Sequence, residues 1–359
     1  MEISWLLVLL LLCVSFLIIK SKAQDQCLPP GPPAVPFFGN LLSLRQNLSN
    51  LESLLHDLHE HYGPIVSLRL GSRLLIFISD RQLAHSALIT YGATFASRPT
   101  QSAIREILTV NYHTISSAKY GPLWRLLRRN LAGELPDEGG RSLIDDELIA
   151  LCSEFLIAGT DTTSTALQWI MADLVKNQGV QLRLWDEIKS VLSKSDSEDI
   201  EEGMLAKMPY LKAVVLEALR RHPPVHHLLH HAVTEDFTLG KYVIPKEAWV
   251  SINVANIGMD KEVWDNPTEF KPERFLEGGE GINVDITGTK EIKMMPFGAG
   301  RRICAGLGIA MLHLEYFVAN LVKEFEWKGI EGEEVDFAEK AEFTVVMKNP
   351  LRAHLVPRK

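Results

Sequence analysis

Cys304 stands in the stretch FGAGRRICAG, residues 297 to 306, with Gly300 four residues before it and Gly306 two after. An apolar helix is predicted immediately downstream. Its N-terminal N–H groups and positive dipole end would point back at the sulfur and favour thiolate over thiol. The flanking glycines let a backbone pass close to a flat partner. No second Cys or His follows at ligand spacing, so zinc is a poor fit. A lone thiolate suits a single axial position on haem iron, where the porphyrin supplies the other four donors. Arg302 could face a haem propionate, and Phe297 could lie against the ring and shield the sulfur.

Three further groupings carry polar residues at helical spacing. Glu217 and Arg220, in EALR, lie one turn apart on one face. Exposed pairs of this kind contribute little, but the surrounding helix is apolar, and a buried pair requires further partners. Trp124 and Arg128 are i and i+4 on another helix, which is compatible with a packed indole beside a surface guanidinium. The stretch AGTDTT, 158 to 163, places Gly, Thr and Asp inside a long helical pattern, where they are poor choices. Local rule-breaking of this type marks either a kink or a functional site.

The elements that must position these residues are mostly helices. Amphipathic helices are predicted over 51–63, closed by Gly63, and over 120–132. One long pattern runs from Asp145 to Asn177 and is closed by Gly179. Another helix opens on Pro209 and stops at Pro223-Pro224. A last helix runs from just after Cys304 to about Phe325. A hairpin over 64–80 turns near Gly71-Ser72, short strands fall around 241–253, and a strand pair is expected around Lys348-Asn349-Pro350. The fold class is therefore mainly α with small β-sheets.

Composition limits the function classes. The 359 residues carry a formal net charge of −8, with a pI near 5.9 and mean hydropathy of +0.04, so a nucleic-acid partner is disfavoured. The four cysteines are far apart, which indicates no disulfide framework. Residues 3–19 are uncharged for 17 residues and Lys20 and Lys22 follow. That is near the lower limit for crossing a bilayer. The charge lies after the apolar run and not before it, which favours an uncleaved anchor over 1–22 with the body on the cytoplasmic side. A glycan on Asn47, in Asn47-Leu48-Ser49, would contradict that topology. Five prolines between 28 and 40 predict a stiff linker over 23–40, extended and poor in hydrogen bonds, ahead of one body at 41–359.

Phe297, Gly300, Arg302, Cys304 and Gly306 fill F-x-x-G-x-R-x-C-x-G, which resembles the haem-ligand signature of the cytochrome P-450 family. The weaker motifs occur in the family's order, and the wording around AGTDTT is similar to plant microsomal members. The resemblance implies the cytochrome P-450 fold, with haem b held by the Cys304 thiolate. It also implies a buried structural triad of Glu217, Arg220 and Arg274 (the last from PERF, 272 to 275), and propionate donors at Trp124 and Arg128. His231 is implied as another donor, with His230 a rival in the crowded stretch HHLLHHAV. Gly159 would let the long helix pass close over the haem with a local groove for O2, while Thr162 and Asp161 would handle protons. The implied activity is O2- and NADPH-dependent oxidation of a small hydrophobic molecule at an endoplasmic reticulum membrane. The implied electron donor is NADPH–cytochrome P-450 reductase, with Arg125, Arg129 and Arg301 as candidate docking contacts. Residues around 104–110, 157–160, 224–229 and 343–344 would face the substrate.

One block departs from that family. Only 29 residues separate Arg128 from Ala158, where full-length relatives carry several helices. A junction is expected within 131–135. Its loss would bare apolar faces of the long helix and open the distal side to water, so a catalytically impaired or dead haem-binding remnant is the alternative reading.

Overall fold

The computed structural model describes residues 27–35, 37–41, 51–100, 109, 111–131, 143–195 and 197–358. The expected anchor, the Asn47 sequon, most of 104–110 and most of the 131–135 junction lie outside them. Among the described residues no helix is long and apolar enough to cross a membrane. The chain divides into two compact units, one within Met1–Pro99 and Leu229–Ile252, the other within Thr100–Leu228 and Asn253–Lys359.

In the first unit, helix α1 (Leu51–Tyr62) ends where Gly63 takes a positive φ of 97° and donates its N–H to His59 O. Strands β1 (Ile65–Leu70) and β2 (Arg73–Ile78) form the hairpin, turning through Gly71 at φ 61°. Strands β3 (His231–Ala232) and β6 (Trp249–Ile252) complete a sheet of order β1-β2-β6-β3, in which β2 and β6 run parallel. Strands β4 (Phe237–Leu239) and β5 (Tyr242–Ile244) pair separately. Leu55 and Leu58 of α1 pack on Val66, Leu68, Leu75 and Phe77 of the hairpin. The proline-rich stretch differs from the expected hydrogen-bond-poor linker. Pro29 O and Pro30 O accept from Ser67 Oγ and Ser67 N at 2.7 and 2.8 Å, and Asn40 exchanges bonds with Arg69. Proline lacks an N–H but keeps its carbonyl, so the stretch docks along β1 as an acceptor edge.

The second unit holds the other helices: α2 (Pro122–Leu131), α3 (Asp145–Lys176), α4 (Gln178–Leu192), α5 (Pro209–Arg221) and α6 (Leu307–Glu324). Its main core joins α3, α4, α5 and α6 through residues such as Ile170, Leu174, Leu184, Leu211, Val215 and Val318. Pro209 occupies the first turn of α5, where its missing N–H has no intrahelical partner to lose. Two expectations are corrected here. Helix α4 was not anticipated, and Gly179, expected as a stop, lies inside it; Asn177 caps the preceding helix instead, its N–H on Asp173 O. The terminal strands do not pair across 348–350: β9 (Val345–Met347) pairs with β8 (Glu339–Ala341), and β10 (His354–Pro357) with β7 (Phe325–Lys328). Helix α3 continues through AGTDTT, where the Thr160 and Thr162 hydroxyls donate to Leu156 O and Ala158 O at 2.6 and 2.7 Å.

Candidate active site

The turn that presents Cys304 is closed by its N–H donating to Phe297 O at 2.8 Å. Gly298 and Gly300 both take φ of 70°, a backbone region that other residues rarely adopt, so they set the turn. The Phe297 side chain packs against the main core. A Cβ added at Gly306 would stand 3.8 Å from Cys304 Sγ, in the space beside the sulfur. Cys304 is exposed and forms no disulfide. Protein crowds its other sides, and that desolvation raises the thiol pKa above its ordinary value. The Gly306 N–H and the positive charge of Arg128 act in the opposite direction and are outweighed. The helix end and Arg128 thus favour the thiolate, and desolvation opposes it.

Helix α2 brings Trp124 and Arg128 to this turn. Trp124 is 6% exposed, packed with Ala118, Leu127 and Leu151, and its buried Nε1 has no hydrogen-bond partner among the described residues. Burial lowers the Arg128 pKa, while the nearby Cys304 raises it. No carboxylate answers Arg128 among the described residues. Arg302 is bonded to the loop that precedes α2. Its Nη1 and Nη2 donate to Ile115 O and Ala118 O at 2.8 and 2.5 Å, and its guanidinium lies 4.8 Å from the Trp124 ring centre. The role of the 115–118 loop was not legible in the sequence, because backbone carbonyls carry no residue signal. Arg301 donates to Tyr120 Oη at 2.7 Å and lies over its ring, as does Arg125.

Behind the turn, Glu217 accepts from Arg220 Nε (2.7 Å) and Nη2 (2.8 Å), from Arg274 Nε (3.2 Å) and from Lys271 N (3.0 Å). Arg220 also donates to Gly258 O and Pro267 O, and Arg274 to Asn266 O and the Glu280 carboxylate. All three triad side chains are buried.

The remaining residues are placed as follows. Asp161 is exposed and Thr162 half-buried on α3, and nothing lies within 4 Å of a Cβ added at Gly159. The helix is bare N-terminal to them: Leu156 and Ile157 are 72% and 59% exposed, and Ile149 and Phe155 are exposed too. Phe343 is also exposed, while Thr344 is buried against Thr165 of α3, their hydroxyls 2.8 Å apart. His231 belongs to the first unit, buried with Nδ1 2.7 Å from Phe95 O; neighbouring His230 packs near Trp249, its pKa lowered by burial and by Arg98.

A buried indole N–H and a guanidinium, both without partners among the described residues and beside an exposed cysteine, fit an anionic flat cofactor with a metal centre. The family described as Cytochrome P450 matches residues 29–140 and 134–356. The chain belongs to the cytochrome P450 family. Cytochrome P450 89A9 of Arabidopsis thaliana is 35% identical over 510 aligned positions, spanning 100% of each chain. Flavonoid 3'-monooxygenase CYP75B137 of Crocosmia x crocosmiiflora is 26% identical, across 99% of this chain and 97% of that one. The fold is similar to that of the solved structure of a retinoic acid-bound cyanobacterial CYP120A1, with a TM-score of 0.76 at 20% identity over 92% of this chain and 99% of the other. A cytochrome P450 is an oxidoreductase with monooxygenase activity. Family membership carries with it a haem on a cysteine thiolate, O2, a small substrate and electrons from a redox partner.

Proposed function

We propose that this cytochrome P450 binds haem b through Cys304 and oxidises a small hydrophobic molecule with O2. Its electrons come from NADPH through NADPH–cytochrome P-450 reductase, and residues 1–22 anchor it to the endoplasmic reticulum membrane with 41–359 as the catalytic body. The observation that carries the reading is the Trp124 Nε1 donor, buried without a partner beside Arg128 and Cys304. Such a donor costs about 1–3 kcal/mol unless a ligand takes its hydrogen bond. Cys304 Sγ would hold the iron, and Trp124 Nε1 with Arg128 would hold the anionic edge of the macrocycle. When bound, the haem supplies O2 activation and transfer of one oxygen atom to the substrate. Thr162 Oγ1 donates to Ala158 O and keeps acceptor capacity on its own oxygen, while exposed Asp161 exchanges protons with water. Arg125, Arg129 and Arg301 present positive charge for the reductase. The mixed apolar residues around 157–160, 224–229 and 343–344 suit a hydrophobic substrate. Absorption of the reduced chain under carbon monoxide tests the assignment: a thiolate-type band is expected, and Cys304→Ser must abolish it. An unaltered band in that variant refutes the reading.

A specific observation favours a second reading, an impaired or dead remnant. Among the described residues, nothing covers the exposed stretch of α3 from Phe155 to Asp161 to exclude water. Two facts support a missing segment: the family match falls in two blocks meeting at 134–140, and the 510 aligned positions exceed the chain's 359 residues by 151. NADPH consumption with peroxide release and no product is the outcome this reading expects.

A further inference from the structure

We propose that Glu154 is the positioning residue for the Arg302–Trp124 side of the site, acting through one peptide unit. Glu154 lies on α3, and its two carboxylate oxygens accept separate backbone donors, Ile115 N on Oε2 and Ser116 N on Oε1, each at 2.8 Å. Ser116 N–H and Ile115 C=O are opposite ends of the same peptide group, and Ile115 O accepts Arg302 Nη1 at 2.8 Å. One peptide dipole is therefore held between a carboxylate on α3 and the guanidinium two residues before Cys304. Each charge polarises the group in the sense that strengthens the other bond. Ala118 O takes the second arm of Arg302, and the same guanidinium stacks on Trp124, whose neighbours Ala118 and Leu151 tie the loop back to α3.

Without the carboxylate, that peptide plane is free to rotate, and Arg302 loses a fixed acceptor. The slack falls on the indole that presents the unpartnered Nε1 and on the turn that presents the sulfur. A glutamine at 154 keeps the shape but replaces one acceptor with an NH2 group that faces a donor. Losing one hydrogen bond to a charged group corresponds to roughly a tenfold change or more in the equilibrium it supports.

The inference rests on the haem reading of Cys304, and the test separates the two. In detergent-solubilised full-length chain loaded with haem, the rate of haem transfer to apomyoglobin is measured. Glu154→Gln is expected to lose haem roughly tenfold faster. Arg302→Lys alone also speeds the loss, and the double variant is no faster than Arg302→Lys, because both act through one peptide. Glu147→Gln removes a different contact of the same helix, the buried carboxylate 2.9 Å from His113 Nδ1. It is expected to lower the thermal midpoint without changing the haem transfer rate, an outcome a merely structural role for Glu154 would mimic. Hydrogen exchange in the unmutated chain provides a check without a variant: the Ile115 and Ser116 amides should be protected. Wild-type transfer rates in Glu154→Gln, additivity with Arg302→Lys, or fast exchange at Ser116 each overturn the inference while leaving the haem reading intact. A wild-type chain that takes up no haem refutes the haem reading, and this inference with it.

Discussion

Glu217→Gln replaces the one carboxylate that joins Arg220, Arg274 and the Lys271 N–H. In the native chain, Glu217 and Glu280 balance Arg220 and Arg274, so the cluster is electrically neutral. Both side chains of the Glu217–Arg220 pair are fully buried, so little water can replace the lost charge. Had the pair been an ordinary exposed i, i+3 contact, its loss would cost about 0.2–0.5 kcal/mol. Removing one partner of a buried network instead leaves an uncompensated buried charge, at about 3–5 kcal/mol. The glutamine oxygen can still accept one bond, which places the expected loss near the lower end, about 3 kcal/mol. That is a large part of the roughly 5–15 kcal/mol that typically stabilises a folded domain. Arg274→Met should cost less, because the Glu280 it leaves behind is partly exposed and is hydrated. Equilibrium urea unfolding measures both, and the change should fall on the midpoint and not on the slope. A loss below about 1 kcal/mol for Glu217→Gln, or a larger loss for Arg274→Met, would refute the reasoning that burial gives this network its worth.

Three further outcomes follow from the same coordinates. Trp124→Phe should destabilise the haem-free chain less than Trp169→Phe or Trp264→Phe, because those two indoles donate to Val345 O and Lys293 O whereas Trp124 Nε1 has no partner; thermal midpoints of the three variants decide it. Burial, reinforced by His56, holds the His59 pKa below its ordinary value against the opposing bond to Gly63 O. The unfolded imidazole then takes up a proton first, so the stability its neutral form supplies is complete above about pH 6.5 and is lost as pH falls through the lowered folded value; the wild-type melting temperature should fall more steeply between pH 7 and pH 5 than that of His59→Gln. Leu156→Lys with Ile157→Lys should change stability by no more than about 0.5 kcal/mol and should reduce binding of an apolar dye, since both side chains already face solvent.

What could be read from the residues alone was whatever depends on neighbours in the chain. The Cys304 turn needs its glycines within a few positions, and Pro209 and Gly63 mark helix ends through their own backbone limits. Where a distant partner decides, the sequence misleads. Gly179 has the composition of a stop, yet it sits in open space in the first turn of α4, where a glycine costs little. The β7–β10 pair joins segments separated by most of the C-terminal stretch, and no local pattern announces it. Glu154 reads as one more polar residue, and its worth depends on two amides 38 and 39 residues away.

The same division explains the sulfur. The sign of a helix dipole can be assigned from the helix that follows Cys304, and the structure contains that contribution through the Gly306 N–H. The opposing desolvation depends on how much protein gathers around the side chain, which residues neighbouring in sequence do not decide. Desolvation scales with every surrounding atom, whereas the dipole acts from one direction and fades within a turn. The helix end and Arg128 act to favour an anionic sulfur at position 304 while desolvation opposes it, and a metal ion bound at Sγ would add to the favourable side.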